Sequence, residues 1–341
     1  MSDAIVQQEQ VKITAANHVR HSFAEDVRRG LTREPKVLYP KYFYDERGSR
    51  LFEKICKLPE YYQTRTERKI LDRVSPEIVR KYRPTTLIEY GAGAATKTRI
   101  LLDAMRKDNT LERYVPIDVS SEFLTSVADR LSADYPELQV HGLTGDFLEP
   151  IDLPYRQEPR IIAFLGSTIG NLNDAETDDF LHLLTAQMTE NDVFLLGTDL
   201  VKDTDALEAA YDDSQDVTAE FNKNMLRRIN RELDGGFDLN AFEHVAVYNE
   251  EEAQIEIYLK SLEEQTVTIG ALDLDVHFER DETLRTEISC KYDKARVTRL
   301  LRQSGLVITD WFTDPREYFA VSISRLMPGD AIQLNGSHEE Q

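Results

Sequence analysis

The chain has 341 residues, enough for one large domain or two smaller ones that each bury a hydrophobic core. Its 62 acidic and 41 basic residues give a formal net charge of −21, which disfavours binding to a nucleic acid or an anionic membrane. Two cysteines, seven histidines without metal-ligand spacing, and no apolar segment of signal-peptide or membrane-span length predict a cytoplasmic protein that holds no metal.

The first sixty residues combine helical and aromatic segments. Their patterns predict amphipathic helices over residues 17–30 and 49–57. Tyrosine offers an apolar body and one hydroxyl, which suits a small polar ligand, although packing between domains would also explain these rings. The aromatic residues concerned are Tyr42, Phe43, Tyr44, Tyr61 and Tyr62.

From about residue 66 the chain alternates short apolar strands with amphipathic helices. This alternation indicates an α/β fold with a parallel, doubly wound sheet. The predicted strands cover residues 86–90, 114–118, 138–143, 160–165 and 192–198, and the predicted helices cover 66–81, 96–107, 122–135 and 175–189.

After residue 199 the alternation stops. The pattern predicts helix over 203–233, a meander of strands at 244–248, 254–260 and 264–269, a helix over 294–304, and a closing hairpin of strands 306–312 and 318–323. The hairpin fits a parallel sheet with an antiparallel edge. We therefore predict a discontinuous α/β domain of residues 66–200 plus 291–326, and a second, α+β domain of residues 1–65 plus 201–290 that binds substrate. Residues 327–341 are expected to be a frayed tail.

The first strand of the alternation runs into the turn Gly91-Ala92-Gly93, and a helix follows. Glycines here permit a sharp turn and a close approach of a ligand to the main chain, and the helix N-terminus favours a negative group. Thr96 stands where the dinucleotide fingerprint has its third glycine, which argues against NAD or FAD.

Acidic residues follow the next two strands. Asp118 can accept both ribose hydroxyls of a nucleoside, and Asp146 with Phe147 can bind the adenine amino group and cover its ring. With Glu89 before the glycines, they form the pattern usual in Rossmann-like class I methyltransferases, so S-adenosylmethionine is the predicted cofactor. Each acid alone would also fit a helix cap or a solvated loop. Lys97 is either a ligand of the methionine carboxylate or a solvated lysine.

The loop after the fourth strand contains Gly166 and Asn171. Ligands of open α/β sheets bind at the carboxyl ends of strands, so this loop should face the reactive end of the cofactor. The Asn171 amide could bind a substrate carboxylate, although asparagine is also a common turn residue. The predicted partner is therefore a small molecule.

Long segments of the chain, in the same order, resemble the histidine Nα-methyltransferase family of ergothioneine biosynthesis. The resemblance covers about residues 26–323 and implies transfer of three methyl groups from S-adenosylmethionine to the α-amino nitrogen of free L-histidine, giving hercynine. The segments that carry it are residues 42–45, 58–65, 164–172, 195–203, 242–246 and 287–291.

The resemblance also implies site residues. Glu287 and Ser289 would hold the imidazole, which suits a carboxylate and a hydroxyl two residues apart on one face of a strand. Asn171 and Tyr211 would hold the carboxylate. The family's cofactor contacts match Gly91, Lys97, Asp118, Asp146 and Phe147, to which the turns add Gly93 and Gly166, and its remaining histidine contacts match Tyr61 and Tyr44.

Tyr44 and Asn171 are expected to act by positioning, without a covalent nucleophile. Tyr44 through water, or solvent itself, would accept the amine proton, and Gly166, Ser167 and Gly170 would leave room for the growing head group. Ile257 departs from the methionine common in the family and bears on side-chain selectivity. Two other functions remain open: methylation of another amino acid or amine, such as tryptophan or tyrosine, and non-catalytic adenosyl binding. We expect a monomer.

Overall fold

A computed structural model describes residues 10–16, 22–93 and 97–328. Its strands are β1 Val11–Ala15, β2 Thr86–Tyr90, β3 Arg113–Asp118, β4 Gln139–Thr144, β5 Arg160–Phe164, β6 Val193–Asp199, β7 Phe242–Asn249, β8 Gln254–Ser261, β9 Gln265–Ile269, β10 Leu274–Phe278, β11 Thr283–Cys290, β12 Leu306–Thr313 and β13 Phe319–Leu326. Its α-helices are α1 Phe23–Leu31, α2 Glu46–Ile55, α3 Gln63–Tyr82, α4 Thr98–Lys107, α5 Ser121–Asp134, α6 Asp174–Gln187, α7 Thr204–Ala209, α8 Val217–Leu233 and α9 Lys294–Gln303.

The largest sheet has eight strands in the order β1-β4-β3-β2-β5-β6-β13-β12. Strands β1 to β6 are parallel, whereas β13 runs antiparallel to both β6 and β12. Every residue of β2, β5 and β6 is buried, as expected for central parallel strands covered by helices on both faces. The α/β class, the doubly wound sheet and the antiparallel edge are therefore confirmed. The carboxyl ends of β2 to β5 meet at one edge of this sheet.

A second group of strands follows α8. β11, β8 and β7 form an antiparallel sheet in that order, and β9 and β10 form a separate hairpin. The expected meander is confirmed for β7 and β8 but is wrong for β9, because β11 takes the other edge of β8. A register shift between Arg285 and Glu287 breaks the alternation of β11, which hides this strand in the sequence. The helix expected over residues 203–233 is two helices, α7 and α8.

The N-terminal strand β1 is a correction to the expected domain boundary. Residues 1–65 were assigned to the substrate-binding domain, but β1 pairs in parallel with β4 at the edge of the large sheet. Ile13 packs over Gly142, where even a β-carbon would meet it at 2.5 Å, so the glycine leaves room for this side chain. The remaining division into two domains stays a prediction.

Some expectations fall outside the described residues, namely residues 17–21 of the first expected helix, Thr96, and most of the expected tail. The described helix α1 begins after Ser22, whose side chain accepts a hydrogen bond from the Glu25 amide in a capping box. In the described part of the chain, no helix is both long and apolar enough to cross a membrane. Nor do three or more His, Cys, Asp or Glu side chains there form a group that could hold a metal ion.

Candidate active site

The glycine turn after β2 has the backbone that its sequence predicts. Gly91 and Gly93 have φ values of 66° and 47°, a left-handed region that glycine adopts without strain. Among the described residues beyond its chain neighbours, a β-carbon on Gly91 would meet no atom within 4 Å, which supports the expectation that a ligand can approach the turn here. The described part of α4 begins just beyond, at Thr98, with its N-terminus towards this space.

Asp118 and Asp146 lie at the ends of the neighbouring strands. Burial raises the pKa of Asp118 to about 6, and its carboxylate accepts a hydrogen bond of 3.1 Å from the Ser120 amide. Asp146 accepts hydrogen bonds from the Leu148 amide at 3.1 Å and from Lys41 Nζ at 3.2 Å. Asp118 follows Ile117, whose carbonyl accepts a hydrogen bond from the Gly91 amide at 2.9 Å, and the roles of both acids in binding an adenosyl moiety stay predictions. The Phe147 ring is half-buried against Phe164, with ring centroids 5.4 Å apart.

Glu89, the acid before the glycines, is used within the protein. It is buried, and it accepts hydrogen bonds from the Thr98 hydroxyl at 2.5 Å and the Tyr114 hydroxyl at 2.6 Å. Burial raises its pKa to about 7. Glu89 therefore connects the end of β2 to the start of α4 and to β3.

Glu67 is a residue of this region that our sequence reasoning missed. Its fully buried carboxylate on α3 accepts the Gly166 amide hydrogen at 2.9 and 3.0 Å and pairs with Lys97 Nζ at 2.5 Å. Gly166 has a φ of 80°, and a β-carbon there would stand 3.0 Å from Lys97 Nζ. Glu67 thus brings together the two residues expected at the methionine end of the cofactor. A glutamate among the apolar positions of α3 was the available signal.

The structure also has a cavity of about 400 Å³, a volume that includes open solvent at its mouth. Tyr44, Tyr61, Tyr211 and Glu287 line it, so the structure brings four of the predicted substrate residues together. Ile257 also lines the cavity, and it lies directly opposite Glu287 in the pairing of β8 with β11. The expected effect of Ile257 on side-chain selectivity therefore has a structural basis. The remaining wall includes the aromatic rings of Phe43, Phe52 and Phe221.

The two other predicted substrate residues join the site through hydrogen bonds. Asn171 donates from Nδ2 to Glu287 Oε1 at 2.7 Å and to the Ile288 carbonyl at 2.8 Å. Ser289 and Tyr211 share a hydrogen bond of 2.8 Å between their hydroxyls. Burial raises the pKa of Glu287 to about 7, against the opposing effect of the Asn171 hydrogen bond. Each predicted carboxylate ligand therefore touches a predicted imidazole ligand.

Tyr44 lies at the mouth of the cavity and is 45% exposed. Its ring meets Phe52 and Phe221 edge-on, with centroids 5.5 and 5.7 Å apart. Removal of its hydroxyl from water, with the nearby charge of Glu287, raises its pKa above the usual range. A phenolate base at neutral pH is thereby disfavoured, and the hydroxyl can serve only as a neutral hydrogen-bonding group.

The small residues after β5 have packing roles. Ser167 has a φ of 58° and accepts a hydrogen bond from the Asp199 amide at 2.9 Å. A β-carbon on Gly170 would stand 2.8 Å from the Cys290 carbonyl oxygen. Both residues therefore let this turn lie against its neighbours, and their expected role in leaving room beside the amine stays a prediction.

The family profile and the relatives found by comparison with known proteins agree with one another. A family profile described as "Histidine-specific methyltransferase, SAM-dependent" matches residues 23–326. The chain is 46% identical over 310 residues to a histidine N-alpha-methyltransferase of Mycolicibacterium smegmatis, covering 91% of this chain and 97% of the relative. It is 43% identical over 319 residues to the protein of that name from Mycobacterium tuberculosis, with 92% and 99% covered. Ergothioneine biosynthesis protein 1 of Schizosaccharomyces pombe is 32% identical over 242 residues, 67% of this chain and 31% of that protein.

Proposed function

The chain belongs to the family of histidine-specific, S-adenosylmethionine-dependent methyltransferases, and from this premise we propose that it methylates the α-amino nitrogen of free L-histidine three times. The product would be hercynine, in the first step of ergothioneine biosynthesis. The names of the two bacterial relatives support the α-amino position, and the name of the fission-yeast relative supports the pathway. The observation that carries the proposal is that Tyr211 and Glu287 line one cavity and are hydrogen-bonded to Ser289 and Asn171, respectively.

The cofactor would lie across the carboxyl ends of the parallel strands. Gly91 and Gly93 would allow its close approach, Asp118 would accept the ribose hydroxyls, and Lys97 with Gly166 would hold the methionine end. Asp146 and Phe147 would bind the adenine. The open space over Gly91 supports this assignment. When bound, S-adenosylmethionine supplies a sulfonium methyl group for direct displacement by an amine.

Histidine would lie with its imidazole on Glu287 and Ser289 and its carboxylate on Asn171 and Tyr211, with Tyr61 along the wall. A carboxylate accepts the imidazole N–H, and a hydroxyl bonds the second ring nitrogen. A site built on such polar partners rejects an analogue that lacks them by ~10⁴–10⁵, because its own groups are left unpaired.

Catalysis would depend on how the protein positions the amine and the methyl group. Holding the amine in line with the methyl group contributes ~7–11 kcal/mol in well-oriented systems. The amine must be neutral when it attacks, and its proton would leave to solvent past the neutral Tyr44 hydroxyl. Tyr44 and Asn171 would orient the substrate, and no covalent intermediate on the protein is needed.

The test mixes purified protein and S-adenosylmethionine with each of the twenty amino acids and follows their masses. We expect a gain of three methyl groups on histidine, through products with one and two. Tryptophan or tyrosine as the methylated amino acid would support the alternative substrate class. Histidine left unmodified would refute the proposal. Glu287→Ala is expected to abolish histidine turnover, while an exposed glutamate on α3, in Glu77→Ala, is the matched control.

A further inference from the structure

A buried ion cluster lies behind the cavity, formed by Asp199, Lys202 and Lys291. Lys291 Nζ donates to Asp199 Oδ2 at 3.0 Å, and Lys202 Nζ donates to Asp199 Oδ1 at 2.6 Å. The side chains of Asp199 and Lys291 are fully buried, and that of Lys202 is 4% exposed. Tyr62 donates its hydroxyl to both oxygens of the carboxylate at 2.9 Å. The cluster contains one more cation than anion.

Lys291 connects this cluster to the predicted substrate residues. Its ammonium also donates to the hydroxyls of Tyr211 and Ser289, at 2.8 Å each. These two contacts and the bond to Asp199 use all three N–H groups of the ammonium. Lys202 makes the same kind of bond to Asp199, but its other hydrogen bonds go to Tyr62 and to a main-chain carbonyl, away from Tyr211 and Ser289.

The bonds from Lys291 restrict what the two hydroxyls can offer a ligand. Each oxygen has one lone pair occupied by the ammonium, and the hydroxyls share a hydrogen bond with each other. Either hydroxyl can be the donor of that bond. Because both oxygens accept from the Lys291 ammonium, each hydroxyl favours donating its own hydrogen to a bound ligand, Tyr211 to the substrate carboxylate and Ser289 to the ring.

We propose that Lys291 is a positioning and specificity-determining residue that holds Ser289 as a hydrogen-bond donor, so that the site selects a neutral imidazole over an imidazolium. A neutral ring offers one N–H to Glu287 and one bare nitrogen to Ser289. Glu287 alone would favour the imidazolium, but the Lys291 ammonium, one hydroxyl away, opposes a second ring proton. This inference rests on the proposed function, since it requires histidine in this cavity.

Other groups near the site also titrate, and the experiment must distinguish their effect on binding from the effect of the imidazole ring. Burial raises the pKa of Glu287 to about 7 and lowers that of Lys202 to about 8. A ligand whose ring does not titrate meets the same protonation changes in the protein. Comparing it with histidine therefore isolates the contribution of the imidazole to the pH dependence of binding. The charged and titratable groups around Ser289 and Tyr211 are Cys56, Asp199, Lys202, His244, Glu287, Lys291 and the tyrosines Tyr44, Tyr61, Tyr62 and Tyr248.

The experiment measures the dissociation constants of L-histidine and of triazolylalanine, an isostere whose ring stays neutral, by calorimetry at about pH 7.5 and about pH 5.5. For the unaltered protein we expect histidine to lose about tenfold more affinity than triazolylalanine at the lower pH, because an imidazole pKa near 6.5 leaves about a tenth of the ring neutral there. Equal losses for the two ligands would overturn the proposal.

Two variants test whether Lys291 causes the extra loss of histidine affinity at low pH. Lys291→Met should weaken histidine binding roughly 10- to 100-fold at the higher pH. It should also reduce the extra loss of histidine affinity at low pH, relative to triazolylalanine, to less than twofold. Lys202→Met removes an equally buried lysine from the same carboxylate and should retain the tenfold extra loss. A folded Lys291→Met protein that keeps this extra loss would contradict the inference.

If Lys291→Met does not fold, Ser289→Ala removes the donor and leaves the ion cluster intact. Ser289→Ala should abolish the extra loss of histidine affinity at low pH. If this extra loss persisted in the variant, the role assigned to Ser289 would be wrong. Failure of the proposed function would look different, because the unaltered protein would then neither bind nor methylate histidine at the higher pH.

Discussion

Asn171 donates a hydrogen bond of 2.7 Å to Glu287, a residue 116 positions away in the chain. The bond joins the turn after β5 to the strand β11 of the smaller sheet. Through this bond, the residue proposed to hold the substrate carboxylate donates to the residue proposed to hold the imidazole. A ligand that engages only one of them breaks the bond between the two side chains, and a buried polar group that is left unpaired costs about 1–3 kcal/mol.

The first prediction is that the two ends of histidine bind cooperatively. Asn171→Ala and Glu287→Gln should each raise the KM for histidine roughly 10- to 100-fold. The double variant should raise KM by less than the product of the single effects, since Asn171→Ala removes the shared bond and Glu287→Gln weakens it by replacing a charged acceptor with a neutral one. A double-mutant cycle on KM measures this coupling, and effects that simply multiply would show that the pair acts independently.

The second prediction concerns stability. Burial raises the Glu287 pKa to about 7, so the folded protein binds this proton more tightly than the unfolded chain, where glutamate titrates near 4.3. The contribution of Glu287 to stability is therefore greatest below the unfolded pKa and is lost as pH rises to about 7. Glu287→Gln should raise the free energy of unfolding by roughly 1–3 kcal/mol at about pH 8, and much less near pH 4.5. Urea denaturation at the two pH values measures the difference, and an effect independent of pH would argue against a buried charge.

The third prediction is a pH dependence of cofactor binding. The Asp118 carboxylate, with a pKa of about 6, accepts ribose hydroxyls best when it is ionised. Affinity for S-adenosylhomocysteine should therefore be greatest above about pH 6 and fall as pH drops below it. Asp118→Asn should bind more weakly at neutral pH and lack this decline. Calorimetric titration from about pH 5 to about pH 8 tests the expectation, and an unaltered decline in Asp118→Asn would assign it to another group.

The fourth prediction concerns the turn that carries Asn171. Gly170→Ala should displace this turn, because the new β-carbon would stand 2.8 Å from the Cys290 oxygen and 3.2 Å from its nitrogen. We expect the KM for histidine to rise roughly tenfold or more, with little change in affinity for S-adenosylhomocysteine, since misplacement of about 1 Å can cost ~10²-fold. Gly236→Ala is the matched control, because its β-carbon would approach no atom closer than 3.4 Å. Unchanged kinetics in Gly170→Ala would mean that the turn adapts without moving Asn171.

The parts of the fold that sequence predicted are those with local patterns. The expected strand over residues 86–90 is β2 as observed, because a short apolar run next to a glycine turn is legible on its own. β1 and β10 are missed, and of β11 only the end that carries Glu287 and Ser289, beyond the register shift, is expected as strand. These strands are defined by the partners they pair with, which nearby residues do not specify.

The chain's sequence by itself determined the α/β class, the glycine turn and the carboxylates that follow successive strands, because strand and helix periods and turn chemistry act over a few residues. Only the tertiary structure decided which side chains touch. The contacts of Asn171 with Glu287, of Tyr211 with Ser289 and of Lys291 with both hydroxyls join different elements, and burial then shifts the pKa of Glu287. Distance and desolvation are properties of the folded chain, so no motif in the sequence carries them.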